Sequence, residues 1–584
     1  MSVDALPWDA GGTDNKFLRM LTIKNAVLFA IAAIVLYLTL VPLIMILYGT
    51  FTDGPPGTDA SFTLKNYAKA FGSPKLLESG LNSVLFAALA GVISFVIGGF
   101  LAWVTERTNT PLKPIIYALV LFPFVVPGIL TTVSWVFLLS PNTGLLNLLA
   151  MKVFGLSEPV FNIYSFSGMV WAFGIDHITL PFLLLAAAFR SMDPTMEEAA
   201  VVSGMGTMRC LYHVNIKIMF PSIVATWLLL FIRGIETFEA PALIGLPAGI
   251  KVFATDIFLA LRDTPTDYNL AGTYAVVYLA VSVIGVLFYL HITRKAERFA
   301  TITGKAYRPR VIDLGGWRFF TLALSLVFLF VSVILPVAVI LWTSLLPFYA
   351  SPSLAMFSKL TWDNYSAIFD HRGFYRALKN NIFAGVTAAT VAVILSVGVA
   401  WIVVRTKIAG RRFLDAVAFT PIALPGVVLS LALLWVYLTL PIPVYGTLWI
   451  LIIGYVTMFI PISLRIVHST LLQIHKELEE AAELANASWI RNTFCILLPL
   501  MLPGLLVAWL YVLTLGFKIL SIPVLLSHVG TEVLPVLIFS MYESGEYPQL
   551  SALGVILILV ICVMGGLTRL ISSRFTPTKK RSAT

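Results

Sequence analysis

The sequence has 584 residues, of which 59% are hydrophobic and 12% are charged. Soluble domains carry about 25% charged residues, so this composition excludes a soluble protein and indicates a chain that is mostly in lipid. The formal net charge of +10 is compatible with nucleic-acid binding only if the basic residues form a patch, and they do not.

Apolar segments of about 20 residues, the length that crosses a bilayer as a helix, occur twelve times along the chain. They lie approximately at 26–48, 84–104, 115–138, 166–189, 222–247, 270–291, 319–343, 382–404, 414–438, 445–468, 499–525 and 549–572. The sequence therefore predicts an all-α integral membrane protein with twelve transmembrane helices.

The basic residues concentrate in alternate connections and near both ends of the chain. They are Lys16, Arg19 and Lys24, and those of segments 106–113, 294–310, 405–412 and 574–584. The positive-inside rule then places these connections and both termini in the cytoplasm. The basic excess is a signal of membrane topology, and we expect no nucleic-acid partner.

Three motifs recur at an offset of 298 residues, which indicates an internal duplication. They are "KNYAKAF" (65–71) with "DNYSAIF" (363–369), "AWVTERT" (102–108) with "AWIVVRT" (400–406), and "FPFVVPG" (122–128) with "TPIALPG" (420–426). We predict a first six-span half at 1–293, a basic linker at 294–317 and a second six-span half at 318–584. Two halves inserted in the same orientation predict a pathway between them.

A fourth motif, an acidic residue pair followed by two alanines, recurs at an offset of 282: "EEAAVVSG" (197–204) and "EEAAELAN" (479–486). Each copy lies between the fourth and fifth span of its half, on the predicted cytoplasmic side. The residues predict a short helix that ends at Gly204 or Asn486 in the left-handed conformation. A second helix begins near Thr207 or Ser488 and runs into the next span.

The chain resembles the fused, twelve-span permease subunits of binding-protein-dependent ABC importers. Their motif is EAA, three residues, Gly, nine residues and I-x-L-P. The second copy matches except that Asn486 replaces the Gly. The first copy has Val214 and Ile216 at the Ile and Leu positions, and Lys217 replaces the Pro. We call the two regions, 193–221 and 475–503, the EAA segments.

The resemblance implies that the short helix of each EAA segment is a coupling helix that docks on an ATPase. The implied docking residues are Glu197, Glu198, Ala199, Ala200, Gly204, Glu479, Glu480, Ala481, Ala482 and Asn486. The implied partners are a homodimer of ABC ATPase subunits and an extracytoplasmic solute-binding protein, at a bacterial inner membrane. The chain itself has no G-x-x-x-x-G-K-[ST] motif, so we expect a non-catalytic subunit without a cofactor or a resident metal.

Ionisable residues at membrane depth mark candidate pathway positions. They are Arg233, Glu236, Glu239, Lys518 and Asp176. The first three stand at i, i+3 and i+6 of the fifth span and are expected on one helix face. Lys518 corresponds to Glu236, which leaves two possibilities open: an ion pair across the two halves, or pairing of each residue within its own half or with water.

The "RGIETFEAPALIG" and "AWVTERT" strings look most like ferric-iron permeases, so Fe(III) is the first expected cargo. Thiamine, polyamine, phosphonate or sulfate importers of the same class are alternatives. A secondary transporter driven by an ion gradient would also explain twelve spans and buried charges. It would not explain two EAA motifs at matching positions.

Overall fold

The computed structural model describes residues 23–192, 196, 199–200, 202–296 and 311–575. Over these ranges the chain is helical, with two isolated β-bridges and no strand. The helices of the first half are α1 (Ile23–Thr50), α2 (Lys65–Phe71), α3 (Pro74–Arg107), α4 (Lys113–Leu121), α5 (Gly128–Leu139), α6 (Leu145–Phe154), α7 (Phe166–Asp176), α8 (Thr179–Arg190), α9 (Thr207–Cys210), α10 (Ile216–Glu236), α11 (Phe253–Arg262) and α12 (Tyr268–Ala296).

The second half continues the series after the linker. Its helices are α13 (Trp317–Leu329), α14 (Leu335–Ser344), α15 (Leu354–Phe357), α16 (Asp363–Asp370), α17 (Arg372–Arg405), α18 (Arg411–Phe419), α19 (Gly426–Thr439), α20 (Leu448–Leu472), α21 (Glu477–Leu484), α22 (Trp489–Asn492), α23 (Leu498–Lys518), α24 (Pro523–Leu526), α25 (Leu534–Glu543) and α26 (Tyr547–Phe575). Short π-helical turns at 211–215 and 493–497 join α9 to α10 and α22 to α23.

The described part of the chain has nine helices that are long and apolar enough to cross a membrane. Three further pairs of helices qualify together but are bent, α4 with α5 by 101°, α7 with α8 by 48°, and α18 with α19 by 113°. Counting each pair as one span gives the twelve spans that the sequence predicts. The all-α membrane fold is confirmed.

The three bent spans correct the prediction of continuous helices at 115–138, 166–189 and 414–438. Two of the bends fall in the repeated motif. Pro123 or Pro421 lies within a short 3-10 turn, and Pro127 or Pro425 directly precedes the next helix. A proline supplies no N–H and its ring clashes with the preceding turn of a helix. The motif therefore interrupts the same span in both halves.

Helices recur at the two sequence offsets. Helices α3 and α17 both have 34 residues and begin and end 298 positions apart. Helices α10 and α23 both have 21 residues and lie 282 positions apart, as do the π-helical turns before them. Matching sequence thus gives matching local structure in the two halves.

The asparagine of the repeated Asn-Tyr pair makes matching contacts in the two halves. The Asn66 amide donates to the carbonyl oxygens of Thr50 and Thr52, at 2.9 and 2.7 Å. The Asn364 amide donates in the same way to Ser344 and Leu346, at 2.9 and 2.6 Å. In each half the asparagine satisfies carbonyl groups at the end of the first span, which have no partner within the helix.

The first span of each half packs against helices of the other half. Helix α1 contacts α17 and α19, and α14 contacts α5. The α1–α19 contact is close enough that a Cβ atom on Gly49 would lie 2.4 Å from the Trp435 ring. The halves therefore interlock through their first spans.

Candidate functional site

The EAA segment of the second half folds as the sequence predicts. Helix α21 ends at Leu484, and Asn486 has a positive φ of 58°. The hydroxyl of Ser488 then accepts a hydrogen bond from the Arg491 N–H and starts α22. Side-chain capping of this kind stabilises a helix N-terminus, so the segment is a helix-turn-helix that leads into α23.

The EAA segment of the first half follows the same plan where it is described. Met196, Ala199, Ala200 and Val202 are helical, and Gly204 has a φ of 81°. The predicted docking residues Glu197 and Glu198 lie outside the described residues. The N–H of Met205 donates to Ala200 at 3.0 Å, as the N–H of Ala487 does to Ala482.

Each EAA segment carries an exposed apolar stripe, which we define as Met196, Ala199 and Val202 in the first half and Leu478, Ala481 and Leu484 in the second. All six residues are exposed, and Val202 is 87% and Leu484 90% exposed. The spacing of three residues puts each set on one helix face. The second alanine of each motif, Ala200 or Ala482, is buried instead.

The two glutamates of the second EAA segment have different environments. Glu480 is exposed. Glu479 Oε1 lies 2.6 Å from Arg405 Nε, and the two side chains are only 14% and 6% exposed. Glu479, which the sequence predicted as a docking residue, is therefore paired within the chain, because the C-terminus of α17 ends beside the first turn of α21.

The predicted pathway residues come together in one region, the central polar cluster, defined as Asp176, Arg233, Glu236, Glu239 and Lys518. Each lies at or near a helix end: Asp176 ends α7, Glu236 ends α10, and Lys518 ends α23. Lys518 Nζ donates to the carbonyl oxygen of Phe124 at 2.9 Å and lies 4.6 Å from the centre of its ring. The cluster thus forms where interrupted helices of both halves meet.

The ion pairs of the described residues do not include one between Glu236 and Lys518. Its Oε2 accepts a hydrogen bond from Arg233 Nη1 at 3.0 Å. The one-turn spacing on α10 brings these two groups together. In this structure Glu236 therefore pairs within its own half, which is one of the two possibilities that the sequence left open.

The prediction that Glu239 continues the face of Arg233 and Glu236 is wrong, because α10 ends at Glu236. Glu239 Oε2 instead accepts from Thr237 Oγ1 at 3.2 Å and from the Phe238 N–H at 3.3 Å. Its carboxylate and Asp176 Oδ2 both approach within 4 Å of the point where a Cβ atom on Gly128 would lie. The glycine at the start of α5 thus leaves space that both acidic side chains approach.

Sequence reasoning missed Arg405 and Phe124 as parts of these sites. Arg405 belongs to the repeated "AWIVVRT" motif, and its recurrence as Arg107 could have marked it. Phe124 takes part through a main-chain carbonyl group and its ring, which has no distinctive sequence signal. Among the described residues, no three His, Cys, Asp or Glu side chains converge as metal ligands.

The second half matches a known family of transport proteins. Residues 392–577 match the family described as binding-protein-dependent transport system inner membrane component. Together with the fold, the paired EAA segments and the relatives below, this defines the chain as a permease of the binding-protein-dependent importer class, a multi-pass protein of the inner membrane.

Three relatives are named as transport system permease proteins. The chain is 26% identical to the ferric transport system permease protein FbpB of Actinobacillus pleuropneumoniae, over 91% of this chain and 76% of that protein. It is 27% identical to the putative ferric transport system permease protein FbpB 1 of Haemophilus influenzae, over 83% of this chain and 74% of that protein. The spermidine/putrescine transport system permease protein PotC of Haemophilus influenzae is 26% identical over 37% of this chain and 82% of its own length.

Among solved structures, the chain resembles part of a bacterial alginate ABC transporter in complex with a periplasmic protein bound to an alginate pentasaccharide. The identity is 19%, the TM-score is 0.35, and the match covers 41% of this chain and 85% of that chain.

Proposed function

We propose that the chain is the membrane pathway of an ATP-driven importer and that its two EAA segments dock on two ABC ATPase subunits, which form a homodimer. The observation that carries this proposal is the exposed apolar stripe, which occurs twice. Val202 and Leu484 occupy corresponding positions, and nine-tenths of each side chain is in contact with solvent. Exposing such residues is unfavourable by about 1.5–3 kcal/mol each relative to burial, which a partner surface would recover.

The two exposed apolar stripes fit a partner that presents the same surface twice, as a homodimer does. They are borne by helices of similar sequence at equivalent places in the two halves, so one ATPase surface would accept both. Glu480 and its counterpart Glu198 would meet basic residues of the ATPase, whereas the stripe would enter an apolar groove. In this account, closure of the ATPase dimer on ATP moves the two EAA segments and changes the relative position of the halves.

The cargo would pass between the halves, and we propose that the central polar cluster borders this route. The cluster combines acidic and basic side chains of both halves at places where helices are interrupted. Interrupted helices near the middle of the membrane form the substrate pathways of many transporters. Both termini and the linker would be cytoplasmic, as the basic connections favour.

Fe(III) is the proposed cargo. The ferric transport permeases match over most of this chain, whereas the polyamine permease matches over about a third. Thiamine, polyamine, phosphonate and sulfate are the alternative cargoes within the same class. A gradient-driven secondary transporter would not require two exposed apolar stripes.

Co-purification with the ABC ATPase tests the docking proposal. Leu484→Asp with Val202→Asp should weaken retention of the ATPase by more than about tenfold, since each charge would replace a buried contact worth about 1.4 kcal/mol or more. Val529→Asp is the matched control, because Val529 is 92% exposed but lies between α24 and α25. Equal retention by the control and the double variant would contradict the proposal.

A further inference from the structure

Arg405 joins three elements of the second half. It is the last residue of α17. Its Nη2 donates to the carbonyl oxygens of Leu471 and Ile474, at 3.3 and 2.7 Å, and its Nε lies 2.6 Å from Glu479 Oε1. One guanidinium group therefore binds the C-terminal end of α20 and the first turn of α21.

The charges of Arg405 and Glu479 are favourable at the helix ends beside them, the C-terminal end of α20 and the first turn of α21. The last carbonyl groups of α20 have no partner within the helix, and a cation there interacts favourably with the helix dipole. Glu479 lies in the first turn of α21, where a negative charge is favoured. Because both side chains are largely buried, water screens the ion pair far less than it would at the surface.

The first half contains the same arginine contact. Arg107 is the last residue of α3, is fully buried, and lies 298 positions before Arg405. Its Nη1 donates to the carbonyl oxygen of Phe189 at 3.5 Å, and Phe189 is the counterpart of Leu471. Glu197, the sequence counterpart of Glu479, lies outside the described residues.

We infer that Arg405 and Glu479 form a positioning link that fixes the coupling helix α21 to the second and fourth spans of its half. Glu479 is thus not a docking residue. Glu480 and the exposed stripe contact the partner, and Glu479 holds the helix that carries them. Arg107 makes the matching contact with the fourth span of the first half.

The link has a mechanical consequence, which rests on the proposed function. A helix held only by its flexible connections could move with the ATPase without moving the membrane spans. The buried link makes α21 and the ends of α17 and α20 move together. Breaking it should therefore leave ATPase docking in place and reduce the transport obtained per ATP hydrolysed.

Hydrogen exchange of the full-length permease in nanodiscs, without any ATPase, tests the link itself. Glu479→Gln and Arg405→Met should each speed amide exchange in 477–487 by about tenfold, corresponding to about 1.4 kcal/mol of lost local stability. Glu477→Gln is the matched control, since Glu477 is exposed on the same helix turn. The charge exchange Arg405→Glu with Glu479→Arg should recover part of the protection. Exchange unchanged in both single variants would overturn the proposal.

A second measurement separates positioning from a merely structural role. In proteoliposomes with the ATPase and binding protein, Glu479→Gln should retain the ATPase but raise the ATP hydrolysed per cargo imported, and Arg405→Lys should restore part of the coupling. Faster exchange with an unchanged ratio would overturn the positioning role. Failure of the wild-type chain to bind an ATPase would instead count against the proposed function, and the exchange result would still stand for the link.

Discussion

Lys518, at the end of α23 in the second half, donates a hydrogen bond to the main-chain oxygen of Phe124 in the first half and lies over the ring of the same residue. The contact joins the two halves at an interrupted span. Asp176 and Glu239 of the first half belong to the same central polar cluster. Lys518 therefore adds a basic group of the second half to a cluster whose acidic groups all lie in the first half.

Replacing Lys518 with Met should lower ATP-dependent uptake, because the Phe124 carbonyl group loses its donor and the two carboxylates lose a nearby cation. A hydrogen bond that involves a charged group contributes about 1.5–3 kcal/mol. Lys518→Arg keeps the charge and the donors, so it should retain more transport than Lys518→Met. Equal uptake by both variants and the wild type would show that the contact has no part in transport.

Arg233 and Glu236 should behave as a coupled pair in thermal unfolding of the purified permease. Glu236→Gln and Arg233→Met each leave one polar partner without its ion pair. The double variant should therefore be more stable than the sum of the single changes predicts, with a coupling of about 1 kcal/mol. Arg233 is partly exposed, which keeps this value below that of a fully buried pair.

In a double-mutant cycle of Glu236→Gln with Lys518→Met, the two changes in stability should be additive, because these two side chains form no ion pair in this structure. A coupling in this second cycle that exceeds the first would contradict the pairing described here. It would instead support an ion pair across the two halves in the state that was measured.

The local structure of the EAA segments could be predicted because it depends on nearby residues. Strong helix formers precede Gly204 and Asn486, and only a residue tolerant of positive φ can end a helix in this way. The number of spans followed from segment length. The bends at Pro123 and Pro421 were missed because a proline in an apolar segment does not by itself predict a bend: Pro221 and Pro503 lie inside the continuous helices α10 and α23.

The partners of Glu479 and Lys518 could not be predicted from the sequence. Each contact joins residues that are far apart in the chain, and it depends on how three or more helices pack. The sequence suggests that a charge at membrane depth needs a partner. It does not show that the partner of Lys518 is a main-chain oxygen, or that Arg405 rather than an ATPase binds Glu479.

Charge reversal of the exposed glutamate should weaken ATPase docking without loss of permease stability. Glu480→Arg would face basic residues of the ATPase with like charge, and an exposed position tolerates substitution to within about 0.5 kcal/mol. Glu198→Arg tests the corresponding position of the first half. The measurement is retention of the ATPase at several salt concentrations, with Glu477→Arg as the control. If the variant that combines Glu480→Arg and Glu198→Arg retained as much ATPase as the wild type, docking by these residues would be contradicted.

Cysteine labelling in intact cells should distinguish the two sides of the membrane. In a background without Cys210, Cys495 and Cys562, a cysteine at Ala306 of the linker should resist an impermeant reagent. A cysteine at Val529, in the exposed connection between α24 and α25, should be labelled from outside. The reverse pattern would contradict the proposed orientation.

Uptake of radioactive Fe(III) into proteoliposomes tests the central claim most directly. The vesicles would contain this chain with its ABC ATPase, and the external solution would contain the binding protein loaded with Fe(III). We expect uptake that requires both the binding protein and internal ATP and that is lost in Leu484→Asp with Val202→Asp. Uptake driven by an imposed ion gradient in the absence of ATP would contradict it.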